Sequence, residues 1–119
     1  MKKNKIALCI TVPKSTLWSD YEKELEDVKD RRLMLNFKVP TYPKKVKEGD
    51  RCYVVHNGFI KGWMTITGII DRSSGFDCQT TGRQWGSGIY VCRSGEFHYL
   101  SKEVPMKGFQ GYRYIDEIE

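Results

Sequence analysis

Apolar and polar positions change their period twice along this chain. Between Lys5 and Val12 the residues Ile6, Ala7, Leu8, Cys9 and Ile10 form a short apolar run ended by Pro13, which reads as a first, mostly buried strand. From Ser15 to Met34 the period lengthens. Trp18, Tyr21, Leu25 and Val28 recur at three- and four-residue steps, so one main helix is predicted near residues 16–33. Ser19 and Glu22 have the spacing of a capping box at its start.

Beyond the helix the pattern is that of strands. "LMLNFKVP" predicts a strand stopped by Pro40 and Pro43, and "RCYVVH" a second. Asn57-Gly58 marks a hairpin into "KGWMTITGII". "DRSSGFD" reads as a polar turn, "CQTT" and "GIYVCR" as short strands, and Ser94-Gly95 as a turn into "FHYL". "GFQGYRYIDEI" closes the chain with aromatics. These elements predict a single α+β domain over residues 1–119: a strongly bent antiparallel sheet or small pseudobarrel with one helix.

Charge adds a polarity to this picture. Asp20 to Asp30 carries six acids and two lysines, whereas Arg31 to Ile115 carries fourteen Lys/Arg against six Asp/Glu. A basic body suits a phosphate-bearing partner, and the acidic helix is a candidate protein-binding surface. No apolar run reaches the roughly 18 residues of a membrane span. The lysine-rich start lacks a small-residue cleavage site, so a cytoplasmic protein without membrane partners is expected. The cysteines Cys9, Cys52, Cys78 and Cys92 form no C-x-x-C pair and sit in apolar runs, so buried thiols are expected and no metal or other cofactor.

The segment "TTGRQWGSGIYVCRSGEFHYL" poses the main chemical question. Its glycines follow neither G-x-x-x-x-G-K-[ST] nor G-x-G-x-x-G, and a strand comes next, which excludes a phosphate loop. They are read as turn residues that leave Trp85 accessible. His56 and His98 lie in aromatic strands, where a structural role is the default, and no third group orients a Cys–His pair. Aromatic and basic residues interleave instead: Trp63, Trp85 and Tyr90 beside Arg93 and Arg113. Aromatic rings that stack and arginines that meet phosphate are how small domains hold unpaired bases.

"KKVKEGDRCYVVHNGFIKGWMTITGI" resembles the PUA-like superfamily of PUA, ASCH and EVE domains: a basic approach, Gly49-Asp50, a strand, a short hairpin and an apolar return. The resemblance covers the order of elements from about residue 5 to 70. It implies a pseudobarrel that binds RNA or modified bases. In the ASCH-type hydrolases the strand before the G-D turn resembles K-x-x-E-x-R. Here Asn36 and Lys38 fall at the glutamate and arginine positions, and a carboxamide cannot relay a proton. The expectation is therefore a non-catalytic module for a nucleic acid base or nucleotide. Trp85 and Trp63 would stack and Asn36 would read polar edges. Lys38, Arg93 and Arg113 would meet phosphate, and Thr80, Thr81 and Tyr90 would complete the pocket. The alternatives are an ASCH-type hydrolase of modified nucleosides, with Glu96 or Asp77 as its acid, and a protein-interaction module.

Overall fold

Strand β1 (Ile6–Thr11) runs parallel to β3 (Arg51–His56), with Leu8 opposite Cys52 and Ile10 opposite Val54. The computed structural model describes residues 5–31, 34–72, 76–77, 84–85 and 88–118. Between β1 and β3 lie the helix α1 (Trp18–Asp30) and β2 (Leu35–Val39). That connection is long enough to let the chain return in the same direction. The long strands β4 (Phe59–Arg72) and β7 (Gly88–Pro105) pair antiparallel along their length, and β8 (Tyr112–Asp116) closes the chain on β1. The six-stranded order is β2-β7-β4-β3-β1-β8. Two short strands, β5 (Phe76–Asp77) and β6 (Gln84–Trp85), pair separately. The fold is α+β, with one helix and a mixed sheet that does not close.

Four expectations need correction. The sheet is mixed rather than antiparallel, because β1 and β3 are parallel neighbours. Ser94-Gly95 does not turn the chain: β7 continues through it, held by β4, and register shifts opposite it absorb the extra residues. Ser19 caps nothing, since it already lies inside the helix. Leu17 is the N-cap, without a side-chain cap, and its carbonyl accepts from the Asp20 and Tyr21 amides at 3.1 Å. Phe76 and Asp77, expected in a turn, lie in β5, and "CQTT" falls outside the described residues.

Alternation along the strands feeds two cores. Leu8, Ile10, Val54, Met64, Ile66 and Val91 face α1 and meet its buried Tyr21, Leu25 and Val28. On the other side Ala7, Cys9, Tyr53, Val55, Ile60 and Leu100 are covered by Met106, Phe109, Ile115 and Ile118. The Tyr53 hydroxyl donates to the Ile118 carbonyl and accepts from the Ile118 amide at 3.0 Å, which fastens the last described residue to the sheet. Asn57 and Gly58 adopt φ of 52° and 88°, the left-handed pair of a two-residue hairpin. No helix among the described residues is long and apolar enough to cross a membrane.

The loop that follows β2 reaches across to β8, the opposite edge strand of the sheet. Thr41 Oγ1 lies 2.8 Å from the Tyr112 hydroxyl, and the Lys45 backbone N–H donates to the Tyr114 hydroxyl at 3.3 Å. Gly111 sits against the ring of Pro40.

Candidate functional site

Strand β2 sorts its residues by face. Leu35 and Val39 enter the helix-side core and Phe37 packs against it, so Asn36 and Lys38 point the other way. Across the ladder Asn36 faces Cys92 and Lys38 faces Tyr90, which brings Asn36, Lys38 and Tyr90 to one surface of β2 and β7. Tyr90 is fully buried and Asn36 is 8% exposed, while Lys38 reaches solvent. Among the described residues the Asn36 Oδ1 is buried without a hydrogen-bond partner. Buried acceptors are nearly always satisfied, so this one calls for an explanation.

Lys38 extends its stem across Gly88, where a Cβ would come within 2.7 Å of the lysine Cε. A side chain there would make the lysine tip swing aside, and the φ of 151° at Gly88 itself favours glycine. Lys38, Val39, Pro40, Gln110 and Gly111 surround an open hollow of about 410 Å³ at the junction of the two sheet edges.

The other expected site residues lie elsewhere. Trp63 stands in β4 between Arg51 and His98, which approach from the two flanking strands. The guanidinium lies 4.0 Å from its ring centre, and the imidazole stacks at 4.1 Å and 18°. Both ring faces are thus occupied. Arg93 lies on the helix side of β7, 2% exposed, and its Nη1 donates to the Tyr21 hydroxyl at 3.2 Å. A guanidinium in that position stands behind the sheet from Lys38. Arg113 is exposed on β8, with its guanidinium 4.6 Å from the Phe109 ring centre. The backbone of Trp85 pairs with Phe76, while Thr80 and Thr81 fall outside the described residues. Of the nine residues expected to form one pocket, the structure brings together Asn36, Lys38 and Tyr90.

Of the groups that catalysis could use, the Asp77 side chain lies outside what the structure describes, and the others have structural partners. Glu96 is exposed and lies 3.9 Å from Lys29. His56 is buried, and its Nε2 donates to the Thr16 carbonyl at 2.8 Å. Among the described residues no three His, Cys, Asp or Glu side chains group to hold a metal. Cys9, Cys52 and Cys92 are buried and form no disulfide, and burial pushes the Cys9 thiol up to about 12 and that of Cys52 to about 11.

On the helix side, Glu22 and Glu26 of α1 face Glu96 across a groove of about 280 Å³ floored by Leu25 and Phe97. Tyr99 donates to Glu22 there. Burial first, and that carboxylate second, push its hydroxyl up to about 12. The acidic groove and the basic sheet edges are therefore separate surfaces.

Sequence reasoning passed over the lysines of the loop between β2 and β3 and Tyr42 among them. The available signal was a lack of acids in two segments far apart in the chain, whose adjacency only the fold supplies. No protein-family model, no curated protein and no solved structure matches the chain.

Proposed function

We propose that this chain is a non-catalytic module that binds a nucleic acid base or nucleotide on a PUA-like pseudobarrel. The single observation that carries the reading is the Asn36 carboxamide, buried beside the exposed Lys38 with its Oδ1 unpartnered among the described residues. An acceptor kept from water without a protein donor suits the amino or imino group of a base. The Lys38 ammonium, on the same face two residues away, suits the phosphate of that nucleotide. The contact of Pro40, just after β2, with Gly111, just before β8, brings the chain near the two sheet edges together, as the proposed pseudobarrel would require.

Catalysis has less support: a carboxamide holds the position a glutamate would need, and Glu96 lies beside Lys29. The test is calorimetric titration with the four nucleoside monophosphates and their base-modified forms. Binding by the native chain that Asn36→Leu abolishes and Lys38→Ala weakens supports the reading. Binding that survives Asn36→Leu unchanged, or turnover of the added nucleotide, overturns it.

A further inference from the structure

Two stretches of the chain carry cations and no acid. Residues 38–47 hold Lys38, Lys44, Lys45 and Lys47, and residues 105–115 hold Lys107 and Arg113, with neither Asp nor Glu in either. All six side chains are exposed. The fold lays the two stretches side by side, through the Thr41–Tyr112 and Lys45–Tyr114 hydrogen bonds and the contact of Pro40 with Gly111. Buried Pro43 and Val46 pin the loop, so its lysines project from a fixed base.

None of the six enters an ion pair among the described residues. Lys45 and Arg113 lie over the rings of Tyr114 and Phe109 instead, at 5.3 and 4.6 Å. The nearby Asp50 is already held by Lys5 at 3.4 Å and by the Lys47 amide at 2.9 Å. Glu48 and Asp116 bound the strip at its ends. A row of uncompensated cations repels itself and gains most from a polymer with evenly spaced negative charge.

We propose that this seam binds the phosphodiester backbone of single-stranded nucleic acid, so that the ligand is a strand rather than a free nucleotide. The proposal rests on the base-binding reading, to which it adds a backbone path that begins at Lys38. Tyr42 favours a single strand over a duplex. It is 45% exposed among the lysines and offers a ring on which an unpaired base can stack. Thr41, Gln110 and Gly111 lie between the cations where a membrane surface would require apolar side chains.

The test uses fluorescence anisotropy of a labelled mixed-sequence single strand of about 12 nucleotides, as RNA and as DNA. A blunt duplex of the same sequence and the nucleoside monophosphates serve as comparisons. The single strand is expected to bind more tightly than either. The double variant Lys44→Ala/Lys45→Ala should flatten the log–log salt dependence by about 1.4, at roughly 0.7 for each phosphate that is no longer neutralised. Tyr42→Ala should weaken strand binding about tenfold while leaving monophosphate binding intact.

A strand that binds no more tightly than a monophosphate, or ignores the lysine substitutions, overturns the seam and leaves the Asn36 site standing. Duplex binding equal to single-strand binding, with no effect of Tyr42→Ala, overturns the single-strand assignment. Strand binding lost in the lysine variant but unchanged in Asn36→Leu supports the seam and removes the base site. Binding of none of these nucleic acids overturns both.

Discussion

Arg93 and Tyr21 join the sheet to the helix inside the core: Arg93 Nη1 donates to the tyrosine hydroxyl at 3.2 Å, and Nε has no partner among the described residues. Burial works against the Arg93 charge, and the Tyr21 hydroxyl is its hydrogen-bond partner among the described residues. Burial pushes the Tyr21 hydroxyl up from its usual range, and the guanidinium beside it pulls part of the way back. Two substitutions should therefore differ in a way that side-chain size alone does not foretell. Tyr21→Phe keeps the ring and deletes the acceptor, and should cost about 1.5–3 kcal/mol. Arg93→Met removes the charge from an apolar site and should be neutral or stabilising. Urea unfolding of both variants decides the matter. An Arg93→Met variant less stable than Tyr21→Phe would show that the guanidinium stabilises the core.

The second prediction concerns close approach of two strands. A Cβ on Gly62 would stand 2.6 and 2.9 Å from the Phe97 ring and closer still to the His98 carbonyl oxygen. The carbonyl belongs to the backbone of β7 and cannot swing aside as a side chain does. Gly62→Ala should then cost about 3 kcal/mol, at the upper end for overpacking. Its melting temperature against that of Gly68→Ala, where nothing stands within 4 Å of the added carbon, isolates the effect. Equal melting temperatures would refute it.

These cases show which parts of the fold local sequence could carry. The strand β3, the Asn57-Gly58 turn and β4 follow from neighbouring residues, and the structure forms them where the pattern puts them. So does the helix face, whose buried members are Tyr21, Leu25 and Val28. Ser94-Gly95 misled because a turn signal is a local preference, and pairing with β4 overrides it. Arg93 read as a surface cation because its partner lies 72 residues away in the chain. Asn36 and Lys38 were singled out through the PUA-like resemblance, and alternation in β2 places both on one face. The acid-free seam was not legible, because its two halves meet only in the folded chain.

The buried thiols give the molecule an alkaline limit. Burial is the main cause that raises Cys9 from 9.0 to about 12 and Cys52 to about 11. In the unfolded chain both ionise near 9, so the folded state holds its protons more tightly. The stability this represents is complete below about pH 8 and is lost as pH rises through 9 toward 11 and 12. Over the unit from pH 9 to 10 the two thiols together should remove about 2 kcal/mol. Urea midpoints measured across that unit should fall for the native chain and stay nearly level for Cys9→Ala/Cys52→Ala. A parallel fall in both proteins would assign the alkaline limit to other groups.

Asn36 links stability to the proposed function with opposite signs. Its Oδ1 is sealed from solvent with nothing among the described residues to accept from, and such an acceptor costs about 1–3 kcal/mol relative to an apolar group of the same shape. Leucine has the same branching at Cγ and no such demand. Asn36→Leu should therefore unfold at higher urea concentration than the native chain, by a free energy of about 1–3 kcal/mol, although it loses the base contact. A residue retained for packing alone would show the reverse, a loss of stability with binding intact. A gain in stability together with loss of nucleotide binding would mark Asn36 as a group whose hydrogen-bond partner is the ligand. Thermal unfolding with and without saturating nucleotide separates these outcomes, because bound ligand should raise the melting temperature of the native chain and leave that of Asn36→Leu unmoved.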